Sequence, residues 1–253
     1  LIALHEHDVP IDFPADAVDQ AEAVNPAPAE DREDLRGLPL VTIDGADARD
    51  FDDAVWAEAD DDPKSTGGWH IIVAIADVAW YVRLGDALDR AAYQRGTSVY
   101  FPDRVIPMLP EALSNGWCSL VPAEDRPCLA AHLWIDTDGR LQRHRFSRAV
   151  ICSAARLTYS QVQAVRDGRA DDTTAALPKE LVKSLYGAYE ALARQRAKRG
   201  TLELEISERR IELADDGTVT GISERERLNS HKLIEEFMIT ANVAAAETLE
   251  KHH

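Results

Sequence analysis

Apolar and polar positions change period several times along the chain, and each change marks an expected element. Residues 1–37 are acidic and rich in Ala, Pro and Asp, with no strong period beyond a short helix expected near Ala15–Val24. This stretch reads as a lead-in or linker, with one domain following over residues 38–253. Leu38–Ile43 is apolar and β-branched and predicts a buried strand ending at Asp44-Gly45. A loop of aspartates comes next, then a short strand around Ala54–Glu58. The tract Ala59–Gly68 has turn formers and no apolar period, so it predicts a solvated loop. Trp69–Val82 is almost continuously apolar and too β-branched for a comfortable helix, and it predicts one long strand. Asp86–Gln94 predicts a short helix closed by Gly96, and Thr97–Phe101 a further strand.

Downstream, Leu129–Asp136 and Arg140–Ile151 flank Thr137-Asp138-Gly139, the pattern of a hairpin. Thr158 stands where a helix to about Arg166 needs its cap, and Leu177–Arg199 has the period of a longer amphipathic helix ending at Gly200. A second hairpin is expected at Asp215-Asp216-Gly217, and a last helix from about Ser230, its expected cap, to the end. Strands and helices mix without regular βαβ alternation and without an internal repeat. The expected class is α+β, a mixed sheet with flanking helices.

Composition narrows this. Hydrophobic residues are 45% and charged residues 29% of the 253, as in ordinary globular domains. No apolar run approaches the roughly 18–20 residues that span a bilayer. The three cysteines, Cys118, Cys128 and Cys152, are odd in number and form no C-x-x-C pair. That speaks against a disulfide framework or zinc site and for buried thiols in a reducing cytoplasm. The net charge of −17 has the wrong sign for a phosphate-binding surface. A nuclease escapes this objection only if its acids hold cations and other domains supply the basic surface. The chain opens at Leu1 rather than methionine and stops inside an expected helix, so it is expected to be part of something longer.

The candidate chemistry lies between the first two strands. Asp44, Asp47, Asp50, Asp52 and Asp53 put five carboxylates within ten residues, interleaved with Ile43, Phe51, Ala54 and Val55. Like charges this close repel unless a counter-charge joins them. In an extended chain Asp50 and Asp52 point to one face and Phe51 to the other, and Asp44 can reach the same space. Hard oxygen donors so held suit Mg²⁺ or Mn²⁺. A calcium EF-hand does not fit, because counting from Asp50 the fifth and sixth positions are Ala54 and Val55 rather than an acid or Asn and a Gly. A structural or solvated acidic turn stays open as the alternative.

The run Ile43-Asp44-Gly45-Ala46-Asp47-Ala48-Arg49-Asp50-Phe51-Asp52-Asp53-Ala54-Val55 resembles the signature of the RNB catalytic domain of the ribonuclease II and ribonuclease R family. Further blocks resemble the same family in the same order: the Val-Ala-Ile-Ala-Asp77-Val strand, Arg95–Pro102 followed by Ile106–Pro110, Leu113–Leu120, Ala155–Tyr159 and Asn229–Met238. Together they cover roughly residues 38–253, nearest the ribonuclease R branch, with the domain incomplete at its C-terminal end.

The resemblance implies processive 3′→5′ hydrolysis of single-stranded RNA to 5′-mononucleotides by two-metal catalysis, with Asp44, Asp50, Asp52 and Asp53 as the catalytic and metal-binding acids. Asp47 matches no catalytic position and is left as a surface acid. Tyr100 falls where the family packs an aromatic on the 3′-terminal nucleotide, a sequence-tolerant contact; a core tyrosine is the other reading. In the last helix His231, Glu235 and Asn242 return to within about 40° of one another, while Leu233, Phe237, Ala241 and Ala244 lie on another stripe. Glu235 aligns with a family glutamate that contacts the terminal sugar, a means of telling RNA from DNA; an ordinary exposed glutamate is its other reading. Leu204 stands where the family often has a phenylalanine, and leucine packs against a base without stacking, which implies a looser clamp. Family members continue into further RNA-channel residues, including an arginine near the scissile phosphate, and are flanked by cold-shock and S1 domains. The fragment alone is therefore expected to be weak or inactive, and a non-catalytic RNB-derived scaffold is the alternative function.

Overall fold

A computed structural model describes the chain apart from residues 1–3, 5, 63–66, 202–208, 215, 225 and 253 and the side chain of residue 210. In chain order it forms α1 (Ala15–Glu22), β1 (Glu33–Asp34), β2 (Val41–Asp44), β3 (Asp53–Ala59) and β4 (Trp69–Ala76). Then come α2 (Val78–Tyr81), α3 (Ala87–Arg95), β5 (Val99–Tyr100), β6 (Val105–Ile106) and a π-helical turn at Ala112–Trp117. The strands β7 (Asp125–Ile135), β8 (Leu141–Cys152) and β9 (Ala155–Thr158) follow, with helices α4 (Tyr159–Arg166), α5 (Asp172–Ala175) and α6 (Leu181–Arg199). Strands β10 (Arg209–Leu213) and β11 (Val219–Glu224) and helix α7 (Asn229–Lys251) complete it. The chain divides into two compact units: residues 1–27, 78–119 and 204–226 form one, and 28–77, 120–203 and 227–253 the other.

The larger unit is built on a seven-stranded mixed sheet in the order β1-β8-β7-β4-β3-β2-β9, as the mixture of periods predicts. Its interior pairs are antiparallel, and both edge pairs, β1 with β8 and β9 with β2, are parallel. The apolar runs of β3 and β4 make the centre: Ala54, Val55, Ile71, Ile72, Val73 and Ala74 are fully buried. Helix α6 packs on β3 and β4, and α7 packs on α6, β4 and β7. The expected core stripe of α7 is there, with Leu233, Phe237, Ala241 and Ala244 all buried.

Turns and caps follow the local sequence closely. The β7–β8 hairpin turns at Gly139, whose φ of +80° favours glycine, and a Cβ there would lie 2.1 Å from the Ala191 carbonyl oxygen of α6. The Thr158 hydroxyl accepts from the Gln161 amide at 3.2 Å, and the Gln161 side chain accepts from the Thr158 amide at 2.8 Å, a reciprocal cap for α4. The cysteines Cys118, Cys128 and Cys152 are free, the first two buried, and burial pushes the Cys128 thiol up to about 12.

Three boundaries differ from expectation. Strand β4 stops at Ala76 and the chain turns into α2: the Asp77 amide still donates to the Pro127 carbonyl of β7 at 3.3 Å, while its buried side chain pairs with Arg32 at 2.7 Å. Helix α6 begins at Leu181 rather than Leu177, since Pro178 disfavours helix in the residue before it. Ser230 is not the cap of α7: the helix begins at Asn229, and the fully buried Ser230 hydroxyl donates to the Tyr159 carbonyl at 2.7 Å. Within residues 1–37, α1 starts at the expected Ala15 and ends at Glu22, two residues short of Val24, and β1 pairs with β8.

The smaller unit holds α1 against α3. Asp86, the N-cap of α3, accepts from the Asp89 amide at 2.8 Å and from the Gln20 side chain of α1 at 2.5 Å. Strands β5 and β6 pair as a short ribbon, as do β10 and β11.

Candidate functional site

Asp44 is the last residue of β2 and Asp53 the first of β3, and the loop between them carries Asp50 and Asp52. The loop is tied down by its backbone. The Phe51 carbonyl accepts from the Leu120 amide at 2.8 Å, and the Asp52 carbonyl from the Ala76 amide at 2.9 Å. Strand β4 and the segment before β7 thus hold the acids at the sheet end, while Asp47 lies exposed.

The electrostatics show that the acids share one neighbourhood. Burial raises the Asp53 carboxyl to about 7, with Asp44 and Asp52 adding repulsion. Burial likewise raises Asp44 to about 6; Arg156 opposes the rise, and the charges of Asp52 and Asp50 add to it. Asp52 is raised by desolvation and then by Asp50, although it is the most open of the four, which limits the effect in water. Asp44 Oδ2 and Asp53 Oδ2 are buried without a hydrogen-bond partner. Unpartnered buried carboxylate oxygens are costly, and a proton or a cation would relieve them.

In donor chemistry the site therefore fits a hard divalent cation held by carboxylate oxygens. Among the described residues, no three His, Cys, Asp or Glu side chains already converge into a cation-holding group. An ion of this class would enter an open arrangement rather than a closed cage.

One residue of the site had no role assigned from sequence. Arg156, on β9, donates from Nη2 to the Gly45 and Ala46 carbonyls at 2.7 and 3.0 Å. Its guanidinium carbon lies 5.4 Å from the centre of the Phe51 ring. The block Ala155–Tyr159 drew attention by resemblance, but only the parallel pairing of β9 with β2 brings Arg156 to the acids.

The remaining expected positions are placed as follows. Tyr100, in the smaller unit, is 65% exposed on β5, so it is not a core tyrosine. In the larger unit, β9 runs beside β2 with Thr158 paired to Asp44, and the next residue, Tyr159, stacks on His231 of α7 with ring centres 4.0 Å apart. Glu235 lies one turn further along α7. It is half-buried and ion-paired with Arg227 at 2.5 Å, with Arg196 at 3.9 Å. Its neighbour Glu236 is buried and paired with Arg196 at 2.5 Å. Leu204 lies outside the described residues.

Comparison with known proteins bears on this arrangement. The family model for the RNB domain matches residues 32–253. Ribonuclease R of Escherichia coli strain K12 is 45% identical over 256 residues, spanning 99% of this chain and 31% of its own length. The chain thus covers about a third of that curated relative. Among solved structures, Mycoplasma genitalium RNase R in complex with ribose-methylated single-stranded RNA matches with a TM-score of 0.89 at 28% identity, over 98% of this chain and 39% of that one. The same protein in complex with double-stranded RNA matches equally well, over 98% of this chain and 44% of that one. No described helix is long and apolar enough to cross a membrane.

Proposed function

The chain belongs to the RNB domain family, and from that premise we propose that it is the acid-bearing part of a metal-dependent exoribonuclease. In this reading it hydrolyses single-stranded RNA in the 3′→5′ direction to 5′-nucleoside monophosphates. The observation that carries the reading is the sharing of charge among Asp44, Asp50, Asp52 and Asp53 at one sheet end, with two buried carboxylate oxygens left without a partner. These four residues would hold Mg²⁺ or Mn²⁺. When bound, such ions supply an activated water and neutralise charge on the scissile phosphate. The chain's own residues position RNA: Tyr100 offers an exposed ring for base stacking, and Glu235 a carboxylate for a ribose hydroxyl. Leu204 would pack on a base without stacking. The partners in this reading are the 3′ end of RNA and flanking cold-shock and S1 domains, whose basic surface would offset the net charge of −17. The compartment is the cytoplasm.

The test is turnover of end-labelled single-stranded RNA by the full-length protein, with Mg²⁺ and with EDTA. With 3′-labelled RNA, labelled mononucleotide is expected from the first time point, and 5′-labelled RNA should shorten from its far end. EDTA or Asp52→Asn should lower the rate by about a hundredfold or more, the scale of losing a main electrostatic contributor. Full activity in Asp52→Asn would overturn the mechanism.

A non-catalytic RNB-derived scaffold is the second reading, favoured by the absence of a ready three-donor group among the described residues. It predicts RNA binding without turnover at any Mg²⁺ concentration.

A further inference from the structure

We propose that Arg156 is a positioning residue that sets the spacing of the aspartates by gripping their loop at two points. Its Nη2 donates to the carbonyls of Gly45 and Ala46, the two residues that follow Asp44. Its guanidinium lies against the ring of Phe51, the residue between Asp50 and Asp52. One side chain thus holds the loop where it leaves β2 and again where it approaches β3. Arg156 comes from β9, whose parallel register with β2 runs Val41 to Ala155, Thr42 to Arg156, Ile43 to Leu157 and Asp44 to Thr158. The grip is therefore anchored in the sheet rather than in the loop.

The chemistry requires arginine. A planar guanidinium presents several donors in a fixed fork and packs flat on an aromatic ring, and the charge strengthens its bonds to carbonyl oxygens. Lysine has the charge on a flexible point without a planar face, so it can reach the carbonyls but cannot at the same time lie along the Phe51 ring. The same cation offsets part of the repulsion among the acids, lowering the Asp44 carboxyl against its burial. Arg156 Nε is buried with no hydrogen-bond partner, so the side chain is committed to this pocket at some cost. Through these contacts Arg156 acts on the loop that carries the aspartates, as a positioning residue.

The role in turnover rests on reading the four aspartates as cation ligands; the grip on the loop does not. The experiment is amide hydrogen exchange of the full chain, wild type against Arg156→Lys and Arg156→Ala, followed peptide by peptide. In both variants exchange over residues 45–52 should rise by about tenfold or more, as expected for losing charge-assisted bonds, with β4 and β7 unchanged. Lysine should restore the melting temperature but not the protection of the loop. In the full-length protein the same variants should lower kcat on RNA with KM unchanged. Unchanged exchange over 45–52 would overturn the proposal, as would loosening spread evenly over the sheet. A parallel Mn²⁺ titration by electron paramagnetic resonance separates the two readings. If wild type binds no Mn²⁺ while the loop loosens in the variants, the cation reading falls and the grip stands. If Mn²⁺ binds wild type and both variants equally, with no change in kcat, Arg156 has no positioning role in catalysis.

Discussion

At the scale of single residues, Asp53 occupies a place where its charge is unwelcome. Its carboxyl sits at about 7 against an ordinary 3.8, raised by burial and by two neighbouring acids. Between those two values the folded chain binds more protons than the unfolded one, so stability falls as pH rises through the window and levels above it. Without cations, Asp53→Asn should therefore be more stable than wild type at pH 8 by on the order of 1–3 kcal/mol, and melt at a higher temperature. The gap should close as pH falls toward 4. Melting curves in EDTA across that range check this, and an Asn variant less stable at pH 8 would refute it. The four acids were legible in sequence because they lie within ten residues of one another. Their burial and their orphaned oxygens were not, because those depend on β4, Leu120 and Arg156 closing around them.

Among elements, α6 and β4 approach closely. A Cβ on Gly187 of α6 would lie 2.3 Å from the Trp69 ring, so the helix passes the strand end at a distance only glycine allows. Two effects compete in Gly187→Ala. Helix propensity favours alanine by about 1 kcal/mol. Overpacking against a large ring costs about 1–3 kcal/mol. The clash should win, and urea unfolding should show a net loss of about 1 kcal/mol; a net gain would mean that Trp69 swings aside freely. Element types were readable from period, since the strands β2, β3, β4, β7 and β8 and the helices α3, α4, α6 and α7 all lie where the pattern puts them. The ends of β4 and α7 were not. The side chain of Asp77, where the chain leaves β4 for α2, is claimed by Arg32, and Ser230 is taken from capping by the Tyr159 carbonyl.

Across the whole molecule the chain passes five times between its units, and the larger unit's first segment, 28–77, is locked near both ends by one ion pair. Arg32 and Asp77 meet with side chains only 3% and 4% exposed. Removing one partner leaves a buried charge, so Asp77→Ala should cost about 3–5 kcal/mol. The double replacement Arg32→Met with Asp77→Leu should recover most of that loss. Chemical denaturation of the three chains decides it, and a single variant that costs nothing would show the pair to be dispensable. The sequence alone determined what depends on neighbours within a few residues: the Thr158 cap, the turn at Gly139, the apolar stripe of α7 and the cluster of aspartates. These rest on contacts that backbone geometry enforces locally. Only the tertiary structure decided the parallel edge pairs β1–β8 and β2–β9, and with them the partners of Arg32 and Arg156. Arg156 and Gly45 lie 111 positions apart, and no local period records a pairing that exists only once the sheet has closed.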